Sequence, residues 1–245
     1  MTFPLYLFGD PMTTRYARLA LKTAETCTGG SGLAEGESPF SGNMVTRESI
    51  NFPIAETCKP SKLCCQTCYA ACGPITWSAS LLKQMRVYNS CLADPVAFAD
   101  LVLRHRKADF ITWNGAGDLF PEAVASINHI GRIAPDVPVW VRTRKPEMAG
   151  LIEEAPNVWV HFSLDRDSMG RRERIEWRTH RHHFSYQYAP DEMGHYPAGV
   201  DIVFGHDYKL PMGVSGPETC PLNHMTSIAG ACGPCRRCFG GNNGK

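Results

Sequence analysis

The sequence predicts an α/β protein, a TIM-like partial (β/α) barrel that carries a cysteine-rich, metal-binding extension at its C-terminus. Three observations predict this fold class. Strand-like and helix-like patterns alternate from Pro74 to Phe204, polar residues follow the predicted strands, and most of the cysteines fall into two clusters. Alternation of strands with helices is typical of parallel sheets built from right-handed crossovers.

The predicted organisation has three parts. Residues 1–57 form an irregular N-terminal segment in which the stretch from Thr26 to Gly42, rich in Gly, Ser and Glu, is typical of a long surface loop. Residues 58–210 form the partial barrel and begin with the first cysteine cluster. Residues 211–245 form the cysteine-rich tail.

Regular elements become clear after Pro74. A helix is predicted over residues 76–89, and Asp94-Pro95 predicts the capped start of the next helix, since Asp is a favoured N-cap and Pro a favoured first residue. The remaining pattern predicts strands over 109–114, 137–142, 158–164, 183–189 and 200–204, helices over 121–134 and 146–155, and a basic helical stretch over 169–180.

Composition excludes several classes of protein. Of the 245 residues, 43% are hydrophobic and 20% are charged, which is ordinary for a globular chain and atypical of a disordered one. The net charge of +1 gives no overall attraction to nucleic acid. No apolar run approaches the roughly 18 residues of a membrane span, and the N-terminus lacks the features of a secretory signal. We therefore expect a cytoplasmic protein without a membrane partner.

Polar residues gather where the predicted strands end, which is where chemistry lies in barrels of this kind. The sequence Gly115-Ala116-Gly117-Asp118 follows one strand, and Thr143-Arg144-Lys145 follows the next. Asp165 and the segment Gly205-His206-Asp207 follow two later strands. Loops are polar in general, so a single residue means little, but the set as a whole indicates a site.

The spacing of the tail cysteines is a more specific signal for metal binding than the spacing of the first cluster. Cys220 precedes a proline, and Cys232, Cys235 and Cys238 form a CxxCxxC run. Four thiolates at this spacing can hold a [4Fe–4S] cluster or a structural Zn²⁺. The Gly- and Pro-rich surroundings cannot supply an apolar core, so we expect metal binding rather than four buried free thiols. His224 is a substitute ligand or a solvent-facing histidine.

The first cluster holds five cysteines between Cys58 and Cys72, more than one site needs. Adjacent residues of an extended segment point to opposite sides, so Cys64 and Cys65 are not expected to bind the same metal. We assign Cys58, Cys64 and Cys68 as ligands of a [4Fe–4S] cluster with one open iron. A set of Cys65, Cys68 and Cys72, a second zinc site and a redox-active CxxC pair remain the alternatives.

From Cys58 to Asp207 the chain resembles the radical S-adenosylmethionine superfamily. Cys68-Tyr69 resembles the cysteine loop of that superfamily, and FITWNGAGDLFPEAV resembles its second strand with a GGEP-like turn. VPVWVRTRK and VWVHFSLD resemble its third and fourth strands, and the tail resembles an auxiliary-cluster extension. The spacing departs from the usual Cx3Cx2C motif: Cys64 and Cys68 fit its first half, but Ala71 stands at the next ligand position.

The resemblance implies two cofactors, a [4Fe–4S] cluster and S-adenosyl-L-methionine, which together generate a 5′-deoxyadenosyl radical. The tail would then hold a second [4Fe–4S] cluster or Zn²⁺. The implied cofactor-binding residues include Arg142 or Arg144, whose guanidinium group suits the methionine carboxylate. The others are Gly115, Gly117 and Asp118, which match the turn that binds the methionine amino group, and Ser163 of the Ser-Leu-Asp strand ending.

The cysteine pattern also resembles a family of small phage-encoded proteins, which implies the host cytoplasm and a nucleotide or nucleic-acid substrate. Phage barrels of this length include relatives of the queuine transglycosylases, and that similarity supports a zinc-containing base-exchange enzyme as the alternative. Its nucleophile would be Asp118, Asp165 or Asp207, and Trp113 and Trp140 would stack a base. A third hypothesis is a non-catalytic, metal-stabilised protein that binds nucleic acid through the basic residues 166–183.

Overall fold

A computed structural model of the chain describes residues 15–26, 30–174, 182–189, 192, 197–204, 220, 232–236 and 238. Its central element is a seven-stranded sheet whose strands follow one another in chain order. The first two strands are antiparallel, and every later neighbouring pair is parallel. The strands are β1 (Phe40–Asn43), β2 (Arg47–Asn51), β3 (Ile111–Ala116), β4 (Val139–Thr143), β5 (Val158–Leu164), β6 (His182–Gln187) and β7 (Ile202–Phe204).

Helices connect the strands and cover one face of the sheet. The largest core cluster contains apolar residues of β3, β4 and β5 together with those of three helices, α4 (Ser78–Ala93), α5 (Pro95–His105) and α6 (Pro121–Ile133). The helices are α1 (Arg15–Thr26), α2 (Ile54–Thr57), α3 (Lys62–Thr67), α4 (Ser78–Ala93), α5 (Pro95–His105), α6 (Pro121–Ile133), α7 (Pro146–Ala149) and α8 (Cys232–Cys235). Short 3-10 turns span Tyr69–Ala71, Gly73–Thr76 and Met169–Arg174.

The structure confirms the predicted α/β class and the alternation of strand and helix after Pro74. The predicted cap is also present, since the Asp94 carboxylate accepts hydrogen bonds from the backbone N–H groups of Val96 and Ala97 at 3.0 and 2.9 Å. Helix α7 is shorter than predicted because it stops before Gly150, a poor helix former. The basic stretch begins as a 3-10 turn, and its residues 175–181 lie outside the described part of the chain.

The N-terminal segment differs most from the prediction of an irregular region over residues 1–57. Its described part contains α1, β1, β2 and α2, and β2 is the first parallel strand of the sheet. Strand β2 is hard to recognise because it is short and alternates polar Ser49 and Asn51 with a single buried Ile50. Both polar residues are buried against Gly115 of β3, which a sequence pattern cannot reveal.

The two faces of the sheet have different chemistry. Side chains alternate along a strand, so Val139 and Val141 of β4 pack under the helices while Trp140 and Arg142 face the other way. The same alternation puts polar side chains of β5 and β6 on the face away from α4, α5 and α6, namely His161, Ser163, Ser185 and Gln187. This polar face borders the candidate site.

In the described ranges, no helix combines the length and apolar character that crossing a membrane requires.

Candidate functional site

A cavity of about 410 Å³ lies along the polar face of the sheet. Its walls include residues near the carboxyl ends of β3, β4, β5, β6 and β7, where ligands bind in parallel α/β folds. Both cysteine clusters contribute to the same walls. The lining includes three cysteines of the first cluster (Cys58, Cys64 and Cys68) and all four of the tail (Cys220, Cys232, Cys235 and Cys238).

The three cavity-facing cysteines of the first cluster come from the segment that follows β2. Cys58 is the C-cap of α2, Cys64 lies within α3, and Cys68 is the C-cap of α3. The neighbouring Cys68 thiol and the positive charge of Arg144 lower the pKa of the Cys64 thiol to about 7, although burial opposes this change. Burial raises the pKa of Cys58. The cluster therefore contains one thiol that ionises readily beside two that do not.

The two other cysteines of the cluster do not line the cavity. Cys65 is 2% exposed, and burial raises the pKa of its thiol to about 11. Cys72 is exposed, and its thiol donates a hydrogen bond to the carbonyl oxygen of Tyr69 at 3.1 Å. The structure thus brings together the three cysteines that the sequence analysis assigned and separates the other two from them.

Helix α3, which carries Cys64, is held at its N-terminus by the end of β5. Ser61 is the N-cap, and its hydroxyl oxygen accepts a hydrogen bond from the Cys64 N–H at 3.0 Å. The same hydroxyl donates to Asp165 Oδ2 at 2.5 Å. Asp167 accepts a bond from the Leu63 N–H at 2.7 Å. Asp165 and Asp167, which lie 104 positions later in the sequence than their partners, therefore fix the orientation of α3.

Asp165 does not line the cavity and is 1% exposed. Besides Ser61, it accepts hydrogen bonds from Arg144 Nη1 and Ser168 Oγ, both at 2.7 Å. Burial raises its pKa, but the Arg144 charge and the hydroxyl donors outweigh that effect, so the net pKa lies below the usual range. These contacts occupy both oxygens of the carboxylate and make Asp165 a positioning residue.

Asp118 is also buried and held by several hydrogen bonds, but unlike Asp165 it lines the cavity. Its Oδ1 accepts hydrogen bonds from Thr143 Oγ1 at 2.6 Å and from the Leu119 N–H at 2.8 Å, and its Oδ2 accepts from the Arg144 N–H at 3.2 Å. Burial raises the pKa of Asp118 despite these donors. It does not cap α6, whose N-cap is Phe120. Asp118 joins the end of β3 to the end of β4.

The two glycines of the turn are required by close packing rather than only by access of a ligand to the backbone. A Cβ on Gly115 would lie 2.3 Å from the Ser49 hydroxyl oxygen. Gly117 has a φ of +83°, and a Cβ there would lie 2.7 Å from the carbonyl oxygen of Phe52. Tyr69 adds a further tie, because its hydroxyl donates to the Gly115 carbonyl at 2.6 Å. The turn is thus locked against the cysteine segment.

The two candidate arginines have different surroundings. The Arg144 guanidinium pairs with Asp165 and lies near Cys64. Arg142 stacks over the Trp140 ring at 4.8 Å from its centroid, and its side chain has no hydrogen bond or ion pair to any described residue. Because Arg142 has no anionic partner among the described residues, this part of the cavity wall suits a negatively charged ligand.

His161 is a cavity residue that the sequence analysis did not identify. It is 2% exposed, and its Nε2 lies 3.0 Å from the Cys238 carbonyl oxygen. Burial and the neighbouring His183 and Arg142 lower the pKa of His161 to about 3, so the imidazole is neutral. The two-residue periodicity of polar side chains in β5 is the signal that could have revealed it.

The described residues of the tail contact the segments that precede β2 and β3. The Cys232 N–H donates to the Val45 carbonyl oxygen at 3.3 Å, and Arg236 forms an ion pair with Asp109, which precedes β3. Cys238 and Cys220 are buried, whereas Cys235 is exposed although it lines the cavity. Burial raises the pKa of Cys232 to about 12. The tail cysteines therefore form a second thiol group within the same cavity.

The remaining residues that the sequence analysis assigned to the site lie in different places. Ser163 lines the cavity, but Trp113 packs between Phe52 and Phe98 on the helix side, so it cannot stack a base there. Asp207 and His224 lie outside the described residues. Over the described part of the chain, no group of three or more His, Cys, Asp or Glu side chains is arranged to hold a single metal ion.

A family model described as gene product 88 matches residues 18–241, which is most of the chain. The description is of the type given to bacteriophage genes, and no radical S-adenosylmethionine family model matches. Comparisons with curated proteins and with solved structures gave no match.

Proposed function

We propose that this chain, which belongs to the gene product 88 family, is an iron–sulfur enzyme of the radical S-adenosylmethionine type, encoded by a phage and acting on a nucleotide-related substrate in the host cytoplasm. One observation carries the proposal. Three thiols share a cavity wall with the Gly115–Asp118 turn at the carboxyl ends of parallel strands. In this proposal the six strands β2 to β7, which pair in chain order, curve into a partial (β/α) barrel around the cavity.

The donor set of the first cluster fits a [4Fe–4S] group. Cys58, Cys64 and Cys68 supply three thiolates and leave one iron without a protein ligand. Arg144 lies near Cys64 and favours its thiolate, although the Arg144 charge is shared with Asp165, which forms an ion pair with it at 2.7 Å. The other side of the cysteines is apolar, because Cys58 and Cys68 pack against Leu19 and Ile54.

The residues of the turn and of β4 fit the methionine portion of S-adenosylmethionine. The carbonyl oxygens of Gly115 and Ala116 already accept hydrogen bonds from Tyr69 and Phe52, so the Gly117 carbonyl would be the acceptor for an amino group. In this proposal Arg144, which lies near Cys64, would bind the carboxylate. Asp118 and Asp165 act as positioning residues: Asp118 holds the backbone of Arg144, and Asp165 holds its guanidinium.

When bound, the cluster and S-adenosylmethionine supply one-electron chemistry that this protein's side chains cannot provide. The chain itself binds and orients both groups and restricts access of water to them. The tail covers the opposite end of the cavity and offers four further thiols, Cys220, Cys232, Cys235 and Cys238, for a second cluster or Zn²⁺. Cys220 and Cys238 already pack in an apolar cluster with Phe110, Trp140 and Ile202, contrary to the expectation that the tail has no apolar core. Metal binding there would add further folding free energy.

The experiment that tests the proposal is iron and acid-labile sulfide analysis of anaerobically prepared full-length protein. We expect the Cys58→Ala, Cys64→Ala and Cys68→Ala variants each to lose about four irons per chain relative to the wild type. Cys72→Ala is the matched control, because Cys72 belongs to the same cluster but is exposed and outside the cavity. Unchanged iron in the first three variants, or protein that takes up no iron, would contradict the proposal.

A further inference from the structure

Three buried polar atoms of cavity-lining residues have no hydrogen-bond partner among the residues that the structure describes. They are Asn114 Oδ1, Arg142 Nε and His161 Nδ1, and all three residues line the cavity. They form one row across β3, β4 and β5: the Asn114 amide donates to the Arg142 carbonyl oxygen at 2.7 Å, and Arg142 pairs in register with His161. Buried polar atoms are nearly always hydrogen-bonded, so a row of three without partners indicates a ligand.

The hydrogen-bonding character of each atom follows from its other contacts. His161 Nε2 faces the carbonyl oxygen of Cys238, which only accepts, so Nε2 carries the proton and Nδ1 is an acceptor. The Asn114 amide nitrogen is used by Arg142, so the free atom is again an acceptor. Arg142 is a cation that only donates. The row therefore offers one cationic donor flanked by two acceptors.

The strained backbone of Asn114 supports a binding role for this row. Asn114 has a φ of +59° in the middle of β3, a conformation that costs free energy in a residue other than glycine. The side chain is 2% exposed. Residues held in such conformations cluster at ligand sites.

A ligand that matches this row needs negative charge and a hydrogen-bond donor of its own. A carboxylate or a phosphodiester has charge but no donor. A phosphate monoester has both, because its second ionisation has a pKa of about 6 and the monoanion keeps a P–OH group. We propose that Asn114, Arg142 and His161 bind the phosphate of a phosphomonoester substrate such as a 5′-mononucleotide.

This inference rests on the proposed function, because it assigns the phosphate to the substrate rather than to the cofactor. Arg144, not Arg142, lies next to Cys64 and pairs with Asp165. Arg142 lies within electrostatic range of Tyr69 of the first cluster loop and of Cys232 and Cys238 of the tail. A phosphate held there would put the rest of the substrate between the two thiol groups. The phosphodiester backbone of a nucleic acid does not match the row.

The test uses calorimetric titration of the full-length protein at pH 6.5 with methyl phosphate and dimethyl phosphate, a monoester and a diester. Inorganic phosphate and sulfate form a second pair, since sulfate has the same shape but no proton. We expect the wild type to bind the monoester and phosphate at least tenfold more tightly than the diester and sulfate. Equal affinities within each pair, or no binding of methyl phosphate at millimolar concentrations, would overturn the inference without any variant.

Two variants test whether methyl phosphate binds to the row of Asn114, Arg142 and His161. Arg142→Gln should weaken methyl phosphate binding at least tenfold. His161→Gln keeps a donor toward the Cys238 carbonyl but removes the Nδ1 acceptor, so the preference for monoester over diester should fall toward one. Arg132→Gln is the control, because Arg132 is an exposed arginine paired with Glu153. Methyl phosphate binding that Arg142→Gln leaves unchanged would contradict the assignment.

The failure of this inference and the failure of the proposed function give different results. Methyl phosphate binding is measured in metal-free and in iron-loaded protein, so it does not depend on the cluster. Protein that binds no iron but still selects the monoester contradicts only the proposed function. Iron-loaded Arg142→Gln that loses S-adenosylmethionine affinity while it keeps methyl phosphate affinity assigns Arg142 to the cofactor and overturns only the inference.

Discussion

Asp165→Asn is the substitution whose effect follows most directly from the contacts. The asparagine keeps an oxygen at the Oδ1 position, which accepts from Ser168 and from the Asp167 N–H. It replaces Oδ2 with an amide nitrogen that faces two donors, Ser61 Oγ and Arg144 Nη1. The variant therefore breaks a buried ion pair and leaves the Arg144 cation without its anion.

Loss of one partner of a buried ion pair costs about 3–5 kcal/mol. A domain of this size has a total unfolding free energy of about 5–15 kcal/mol, so the loss is a large fraction of it. We expect denaturation with urea to show a decrease in this range. Glu153→Gln is the matched control, because it removes the carboxylate of the exposed pair between Arg132 and Glu153, whose N–O distance is 2.6 Å, and should cost about 0–1 kcal/mol.

The result that would refute this reasoning is an Asp165→Asn variant no less stable than the Glu153→Gln control. If Asp165→Asn does not fold, Ser61→Ala tests the same connection more mildly. It removes the N-cap of α3 and one hydrogen bond to Asp165, and we expect a cost of about 1–2 kcal/mol. A Ser61→Ala protein as stable as the wild type would contradict the connection between β5 and the cysteine helix.

The contribution of Asp165 to the free energy of unfolding should decrease at acidic pH. The folded-state pKa of Asp165 is lowered, because the Arg144 charge and the hydrogen bonds outweigh the effect of burial. Its stabilising contribution is therefore complete above the unfolded pKa of about 3.9 and is lost as the pH falls through the lower folded pKa. In Asp165→Asn this acid-dependent part of the unfolding free energy should be missing.

Three further predictions concern the turn, β4 and the tail. Gly117→Ala should lower the free energy of unfolding in urea by about 1 kcal/mol more than Gly36→Ala does. Both glycines have a positive φ, but only at Gly117 would a Cβ clash with backbone atoms. Equal losses of stability in the two variants would contradict this prediction. Thr143→Val removes the 2.6 Å bond to Asp118 and should cost about 1–3 kcal/mol and raise the pKa of Asp118 further, whereas an unchanged carboxyl titration by NMR would refute it. Cys235→Ser in metal-loaded protein should lower the hydrogen-exchange protection of the tail, and unchanged protection would reject a four-thiolate site.

The local sequence patterns were sufficient to predict the strands and helices after Pro74, because hydrophobic periodicity and capping residues act over a few positions. Asp94-Pro95 is an example, since the cap and the proline are adjacent to the helix they start. Strand β2 was missed because its burial depends on partners in β3, about sixty residues later. Local patterns do not contain such pairings.

The candidate site was predictable in composition but not in its connections. The choice of Cys58, Cys64 and Cys68 assumed an extended segment, whereas Cys64 and Cys65 lie in helix α3. The three chosen cysteines nevertheless line the cavity. The bond between Ser61 and Asp165 joins residues 104 positions apart, so no motif contains it. The glycines of the turn were attributed to ligand access, whereas their missing side chains also make room for β2.

The central claim is that Cys58, Cys64 and Cys68 hold a [4Fe–4S] cluster with an open iron that binds S-adenosylmethionine. Electron paramagnetic resonance of the reduced, anaerobically prepared protein, recorded with and without S-adenosylmethionine, tests it most directly. The account predicts a cluster signal that changes when S-adenosylmethionine is added and that is missing in Cys64→Ala. A signal that S-adenosylmethionine leaves unchanged, or that survives intact in Cys64→Ala, would contradict it.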